Sequence, residues 1–156
     1  MRIDRTLFER LRHVDSSAAL TISDPATQTT FSIGSDGDIV LARQHGRSYV
    51  LQLGFSSTEA TLLATAISEL ARNIVMYAKE GEIVIQPVEQ NGRPGVLIIA
   101  RDEGPGISDV LRAVIDAPSE SGGVMGLRAM KRLVDELEIE SRAGYGTRVA
   151  VKKWKT

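Results

Sequence analysis

The sequence has no cysteine, and it has only two histidines. Without cysteine the chain can form neither a disulfide nor a thiolate metal site, and it has no thiol nucleophile. His13 and His45 have no companions at the spacing of metal ligands, so we interpret them as exposed or hydrogen-bonded side chains. The lack of cysteine suits a reducing compartment, and we expect a cytoplasmic protein.

Neither an excess of one charge nor a long apolar run is present. The 19 lysine and arginine residues balance 20 aspartate and glutamate residues, which leaves a formal net charge of -1. Nothing global therefore favours nucleic acid or an anionic membrane as a partner. The longest apolar runs, such as Val96–Ala100, fall far short of the roughly 20 residues of a membrane helix. No signal-peptide pattern is visible at the amino terminus.

Three common site motifs are also missing. The sequence contains no GxxxxGK[ST] phosphate loop, no GxGxxG dinucleotide fingerprint and no GxSxG nucleophile elbow. What remains is a chain of 156 residues with a hydrophobic fraction of 42%. Such a chain fits one globular domain with a core that needs no disulfide.

The amino-terminal part contains an amphipathic stretch and a polar one. Ile3, Leu7, Leu11 and Val14 fall on one face of a predicted helix. This stripe can pack on its own domain, pair two chains or bind a partner. The polar stretch Asp15–Thr30 is interpreted as a linker that leads to a short strand at Thr29–Ile33.

Two longer helices are predicted next. The first runs from Asp36 to Leu53 and stops at Gly54, although Gly46 within it argues against a helix. The second covers Thr58–Glu80, is capped by one of the hydroxyl residues before it, and ends at Gly81. Its apolar residues recur at a spacing that makes one face core: Leu63, Ile67, Leu70 and Ile74.

The second half of the chain predicts strands paired as hairpins with helices between them. Such a pattern favours an α+β sandwich over a doubly wound sheet. The expected strands are Glu82–Val88, Val96–Asp102, Glu138–Ser141 and Thr147–Trp154. The expected connections are the turn Asn91–Gly95, the helix Ser108–Asp116, the loop Pro118–Gly123, the helix Gly126–Leu137 and the turn Gly144–Gly146.

Glu69 and Asn73 are the first candidate site residues. They are four residues apart on the second helix and therefore stack on one face, about a quarter-turn from the apolar stripe. A carboxylate at that rim can act as a general base, and an amide oxygen can ligate a hard cation such as Mg²⁺. The alternative is a solvated polar edge on which Arg72 and Glu69 are incidental neighbours.

Three glycine-containing segments follow, and each has an ordinary structural alternative. DEGPGI at 102–107 follows an apolar strand, so its aspartate can accept the amine of adenine, or it can simply cap a turn. GGVMGL at 122–127 opens a helix whose N–H groups can bind phosphate, or it is a plain loop. In GYGT at 144–147 the threonine can reach a base, or the segment is only a hairpin turn.

In their order along the chain, these four segments together resemble the N box, G1 box, G2 box and terminal Gly-Thr of the GHKL (Bergerat-fold) ATPase superfamily. Within it the chain is most similar to the anti-sigma regulatory kinases, especially the RsbT-type switch kinases. The string SELARNI at 68–74 carries most of the resemblance, with support from DIVLARQ at 38–44 and MKRLVDE at 130–136. The likeness covers Thr29–Trp154.

The resemblance implies a role for each matching position. Glu69 would be the base that activates an acceptor hydroxyl, Asn73 the Mg²⁺ ligand and Asp102 the adenine-binding carboxylate. ATP and Mg²⁺ are the implied cofactors. The other implied nucleotide-binding residues are Gly104, Gly106, Ile107, Gly122, Gly123, Gly126, Leu127 and Thr147.

The resemblance also implies a fold and a biological role. The fold would be an α+β two-layer sandwich, with a mixed, mainly antiparallel sheet covered by helices on one face. Residues 1–28 would form an extension and residues 29–156 the kinase domain. Such a kinase phosphorylates a serine or threonine of a STAS-domain antagonist protein, with a sigma factor, a phosphatase or another regulator as second partner. A homodimer stays open.

One position departs from the family pattern. A fuller G2 box has a third glycine where this chain has Val124, and the preceding loop is short, so we expect a small lid and weak nucleotide retention. The departure keeps a second function open: a non-catalytic, nucleotide-binding anti-sigma or switch module that sequesters a partner. A third reading is an α+β domain that binds no nucleotide.

Overall fold

The computed structural model describes residues 21–22, 27–104, 129–142 and 144–156. Several sequence predictions lie outside these residues, namely the helix Ile3–Val14, the helix Ser108–Asp116 and the loop Pro118–Gly123. In chain order the described elements are β1 (Thr21–Ile22), β2 (Thr29–Ile33), α1 (Asp36–Gln52), α2 (Ser57–Tyr77), β3 (Gly81–Gln90), β4 (Arg93–Asp102), β5 (Glu136–Arg142) and β6 (Gly146–Trp154).

Helix α1 begins and ends where its sequence predicts. The Ser35 side chain caps it by accepting a hydrogen bond from the Asp38 N–H. The chain leaves the helix at Leu53, and Gly54 follows with a φ of +94°. Gly46 does not interrupt the helix. A Cβ at this position would lie 2.6 Å from the Ile67 side chain of α2, so a larger residue would not fit there. The glycine thus lets the two helices pack closely.

Helix α2 carries a capping box at its start. The Ser56 hydroxyl accepts a hydrogen bond from the Glu59 N–H, and the Glu59 carboxylate accepts one from the Ser56 N–H, both at 3.1 Å. The predicted end at Glu80 is wrong, since the helix stops at Tyr77 and Lys79 adopts a φ of +71°. The last turn is lost because Gly81 already pairs with Asp102 in the sheet.

The six strands form one sheet in which every pairing between described residues is antiparallel. Its order is β1-β3-β4-β6-β5, and β2 also pairs with β3. The β3–β4 hairpin turns at Asn91 and Gly92, which both have positive φ, at 55° and 77°. An Asn-Gly pair with this backbone is typical of the tight turn that matches strand twist.

Both helices pack on one face of the sheet, which confirms the predicted α+β sandwich. The predicted stripe of α2 lies in the core: Leu63, Ile67, Leu70 and Ile74 are at most 2% exposed. They pack against alternate residues of the strands, among them Ile83, Ile98 and Val149. Side chains that continue this alternation to the end of β4 and the start of β6 therefore lie beside the end of α2.

Two further sequence predictions are wrong. Thr21–Ile22 lies in the predicted linker but pairs with Val88 and Glu89 of β3, so this part of the linker belongs to the sheet. The predicted helix Gly126–Leu137 is not helical over its last residues, because residues 131–135 form turns and β5 starts at Glu136. There Leu137 pairs with Val151, and pairing along β6 overrides local helix propensity.

Candidate functional site

Asp102 is the last residue of β4, and its carboxylate organises the end of the sheet. Its Oδ1 accepts a hydrogen bond from the Gly104 N–H at 2.9 Å and another from the Thr147 N–H at 3.3 Å. Among the described residues, nothing donates to its other oxygen, Oδ2. The side chain is therefore fixed by two backbone groups and still has an acceptor to offer a ligand.

Burial sets the acid–base behaviour of this carboxyl group. Partial burial raises the pKa of Asp102 above its ordinary value, and the hydrogen bonds from Gly104 and Thr147 offset only part of that effect. A half-buried carboxylate beside a cavity is a typical feature of a ligand site.

Thr147 lies opposite Asp102 in the sheet and has its own support. Its hydroxyl is 2.9 Å from the hydroxyl of Ser141 on the neighbouring strand β5. Ser141 is buried, with 2% of its surface exposed. Sequence analysis missed Ser141, because its position beside Thr147 depends on the β5–β6 register, which no local pattern specifies.

Glycines let three chain segments meet at this point. A Cβ on Gly104 would lie 2.6 Å from the Cβ of Ala78, just after α2. A Cβ on Gly146 would lie 2.1 Å from the Asp102 carbonyl oxygen, and Gly146 also has a φ of +123°. Only glycine permits these approaches, so the end of α2, the end of β4 and the β5–β6 turn are in direct contact.

A cavity of 1220 Å³ opens at this end of the sheet. Asp102, Thr147, Gly146 and Ala78 all contribute to its wall. The rest of its lining is mostly charged or polar: Ser32, Ile33, Gly34, Asp38, Glu80, Gly81, Glu82, Arg101, Glu103, Glu140, Arg142, Tyr145 and Arg148. Its volume is ample for a small molecule.

Glu69 and Asn73 lie on α2 and do not line this cavity. The helix rises by about 1.5 Å per residue, so the five residues from Asn73 to Ala78 span about 7.5 Å. The structure thus brings Asp102, Gly104 and Thr147 together. It places Asn73 about one and a half helical turns, and Glu69 about two and a half turns, before Ala78 at the end of α2.

Asn73 has a buried side-chain oxygen without a partner. Its Oδ1 is shielded from solvent and makes no hydrogen bond to any residue that the structure describes. Such an orphaned acceptor is costly unless a ligand satisfies it, and an amide oxygen is a ligand that Mg²⁺ accepts. The described part of the chain holds no cluster of three or more acidic, histidine or cysteine side chains for a metal. Asn73 therefore fits an ion that takes most of its ligands from water and phosphate.

Glu69 forms an ion pair within the same helix. Its Oε1 lies 2.9 Å from Nη1 of Arg72, and the two side chains are 24% and 49% exposed. The ion pair occupies Oε1 of the Glu69 carboxylate, and Oε2 is left to accept a hydrogen bond or a proton. In the alternative of a solvated polar edge, Arg72 is an incidental neighbour of Glu69; the structure gives it a specific contact with that residue.

Six of the predicted site residues lie outside the described residues: Gly106, Ile107, Gly122, Gly123, Gly126 and Leu127. The five that are described are Glu69, Asn73, Asp102, Gly104 and Thr147. Within the described residues, no helix is long and apolar enough to cross a membrane.

Comparison with known proteins places these features in a family. Residues 58–156 match the family model of histidine kinase-, DNA gyrase B- and HSP90-like ATPases. This span contains α2 and the strands β3 to β6, and hence every described candidate residue.

Individual relatives give a narrower likeness. The chain is 46% identical to the serine/threonine-protein kinase RsbT of Bacillus subtilis over 128 residues, which is 81% of this chain and 96% of the relative. It is also 31% identical to the anti-sigma F factor of Clostridium kluyveri over 118 residues, covering 72% of this chain and 82% of the relative. An anti-sigma F factor of Geobacillus stearothermophilus is 30% identical over 131 residues, or 79% and 88%.

Proposed function

The chain belongs to the family of histidine kinase-, DNA gyrase B- and HSP90-like ATPases, and we propose that it acts there as a serine/threonine protein kinase. It would transfer the terminal phosphoryl group of ATP to a hydroxyl of a partner protein. The observation that carries this proposal is the pair of groups on α2: an accessible carboxylate, Glu69, and a buried, unpartnered amide oxygen of Asn73, one turn apart. The 46% identity to a serine/threonine kinase supports it.

Asp102 would recognise the adenine. Its Oδ1 is already occupied by two backbone donors, so Oδ2 is the atom that would accept the exocyclic amine. The shared contact of Thr147 with Asp102 and Ser141 would hold the carboxylate in one rotamer. Adenine selectivity follows, because a base without that donor would leave a half-buried carboxylate unpaired.

Asn73 would hold the metal. Bound Mg²⁺ supplies positive charge that stabilises the phosphate oxygens, and the Asn73 Oδ1 is the group on this chain that fits it. We also propose that Gly104, Gly106, Ile107, Gly122, Gly123, Gly126 and Leu127 contact the nucleotide, as the family resemblance implies. Backbone N–H groups at glycines suit phosphate.

Glu69 would orient the acceptor hydroxyl and take its proton. Phosphoryl transfer needs positioning and charge stabilisation more than covalent chemistry from the protein. With Oε1 bound to Arg72, the free Oε2 is the atom that would accept the proton. General-base catalysis of this kind is worth about 10²–10⁴ in rate.

We propose a STAS-domain antagonist protein as the substrate, in a cytoplasmic partner-switching pathway that controls a stress response or a sigma factor. A sigma factor, a phosphatase or another regulator would be the second partner. Residues 29–156 would form the kinase domain and residues 1–28 an extension. The names of the relatives, a serine/threonine-protein kinase and anti-sigma F factors, support this role.

The test is a transfer assay with the full chain. Incubation with Mg²⁺, labelled ATP and a STAS-domain protein should label a serine or threonine of that protein. Glu69→Ala should abolish labelling while ATP affinity, measured by calorimetry, stays the same. Glu89→Ala is the matched control, because Glu89 is an exposed glutamate at the far end of β3. A wild-type chain that labels no cognate partner would contradict the kinase proposal.

A second function is favoured by the anti-sigma F factors among the relatives. In it the chain binds nucleotide and sequesters a partner without phosphorylating it. Partner capture that depends on nucleotide and is unchanged by Glu69→Ala, together with no label transfer, would support this function over the kinase.

A further inference from the structure

Glu69 shares an exposed row of α2 with two other side chains. At about 100° per residue, Met76 lies seven residues on and only about 20° away around the helix axis. Arg72 lies about 60° from Glu69 in the same direction around the axis as Met76. The three residues therefore face the same direction along two turns of the helix.

The exposures agree with this arrangement. Met76 is 51% exposed, and the Arg72 side chain is 49% exposed. Asn73 lies between them in sequence but turns its Oδ1 into the protein. One stretch of helix thus turns the proposed metal ligand inward. The Glu69 side chain is 24% exposed, and an acceptor protein can reach it over the side of the helix that carries Met76.

The side chains of Glu69, Arg72 and Met76 together carry no net charge, and one of them, Met76, is apolar. The Glu69–Arg72 ion pair cancels the two charges. Met76 adds a flexible thioether side chain, which adapts to varied apolar partners. Single exposed apolar residues are common on protein surfaces. What sets Met76 apart is its alignment with the proposed base.

We propose that Met76 is a specificity-determining residue that receives an apolar side chain of the acceptor segment. The proposal rests on the kinase function proposed above. Seven helical residues separate Met76 from Glu69 by about 10.5 Å. An extended peptide rises by about 3.3 Å per residue. The recognised apolar residue therefore lies about three positions from the phosphorylated serine or threonine.

The experiment measures steady-state transfer to the STAS-domain protein by the full-length chain. Met76→Asp should raise KM for the protein substrate about tenfold, with KM for ATP unchanged and kcat within about twofold. Met76→Leu should stay near the wild type, because it retains apolar contact. Leu41→Asp is the matched control, since Leu41 is 50% exposed on α1, outside this row.

Substitutions in the substrate protein give an independent test of the same contact. Apolar residues two to four positions from the acceptor are replaced by aspartate, one at a time. One replacement should raise KM for the wild-type kinase but add little to the Met76→Asp variant, as expected for two side chains in contact. Additive effects at every position would contradict the contact.

The outcomes separate the two proposals. If the wild type transfers phosphate and Met76→Asp has an unchanged KM, or Leu41→Asp shows the same loss, the role of Met76 is wrong and the kinase function stands. If the wild type transfers no phosphate to any cognate partner, both fall. Thermal melting of each variant checks that a raised KM does not come from unfolding.

Discussion

The Asp102 carboxylate accepts a hydrogen bond from the Thr147 N–H, which joins two residues 45 positions apart in the sequence. This bond ties the end of β4 to the start of β6. The start of the DEGPGI motif and the end of the GYGT motif, which are separate in the sequence, thus lie side by side. Because both backbone bonds go to Oδ1, the Oδ2 atom of Asp102 can accept a hydrogen bond from a ligand.

Replacing Asp102 by asparagine should weaken ATP binding. The asparagine would place an amide N–H₂ group where Oδ2 was, so two hydrogen-bond donors would face each other at the amine of adenine. A buried donor left without an acceptor costs about 1–3 kcal/mol. We expect Kd for ATP to rise about five- to 150-fold. Calorimetry on the variant measures this. Glu89→Gln, at an exposed residue of β3 that does not line the cavity, should leave Kd unchanged, and a wild-type Kd in Asp102→Asn would contradict adenine recognition there.

Removing the Asn73 side chain should uncouple magnesium from nucleotide binding. Its Oδ1 is the buried atom without a partner that would ligate the ion. In the wild type, we expect ATP to bind more tightly with Mg²⁺ than with EDTA. Asn73→Ala should lose this difference and keep the affinity measured in EDTA. Gln52→Ala, at an exposed residue of α1, serves as control, and a preserved magnesium effect in Asn73→Ala would place the metal ligand elsewhere.

Loss of Arg72 should slow catalysis without weakening the fold. Exposed ion pairs contribute only about 0.2–1 kcal/mol to stability, so Arg72→Ala should melt almost like the wild type. Its kcat should fall about tenfold, because the Glu69 carboxylate loses the contact at 2.9 Å that orients it. Arg72→Lys should recover part of the rate. Arg47→Ala is the control, since Arg47 bonds Ser57 and Thr61 instead; an unchanged kcat in Arg72→Ala would mean that Glu69 needs no such support.

The two glycines of the β5–β6 turn should differ in their tolerance of a methyl group. Gly146→Ala should lower the free energy of unfolding by about 3 kcal/mol or more, because its Cβ meets the Asp102 carbonyl at 2.1 Å and its φ is +123°. Gly144→Ala has open space around it and a φ of +82°. It should cost only about 1 kcal/mol. Denaturant unfolding distinguishes them, and equal losses would contradict the close approach.

Glu59 should contribute a pH-dependent part of the stability. Burial by itself raises the pKa of Glu59, but hydrogen bonds from Ser56 and Thr156 outweigh it and hold the pKa below the ordinary value. A carboxyl with a lowered pKa in the folded state stabilises the protein above the unfolded-state pKa of about 4.3. That stability is lost as the pH falls through the folded-state value.

Glu59→Gln tests this contribution. At pH 7 the variant should be about 1 kcal/mol less stable, since it loses a charged cap. Below about pH 4 its stability should approach that of the wild type. Urea unfolding over this pH range gives the answer. A constant difference at all pH values would show that the Glu59 charge plays no part.

Most of the fold could be predicted from local patterns. The stripe of α2, a hydroxyl cap just before this helix and a turn at Asn91-Gly92 are local signals, and the structure agrees with each. The predictions that are wrong depend on pairing between distant segments. Neither β1, nor the early start of β5, nor the end of α2 at Tyr77 has a local signature that outweighs its neighbours.

The site divides in the same way. Glu69, Asn73 and Asp102 could be found because helical spacing and a strand end are visible in the sequence. The partners that hold them could not: Ser141 reaches Thr147 only through the β5–β6 register, and Ala78 meets Gly104 only through packing of α2 on the sheet. Gly81 was predicted as a helix stop, but its place is set by contact with Arg101 and Asp102.

Helix α2 is both the centre of the core and the carrier of Glu69 and Asn73. Leu70 and Ile74 are fully packed within the same two turns, so the helix cannot tilt without opening the interior. A regulator can therefore hardly act by moving these groups. Signalling through this protein would instead depend on which partner protein is bound over Glu69, Arg72 and Met76. The active and inactive states would then differ in the bound partner and not in the conformation of the chain.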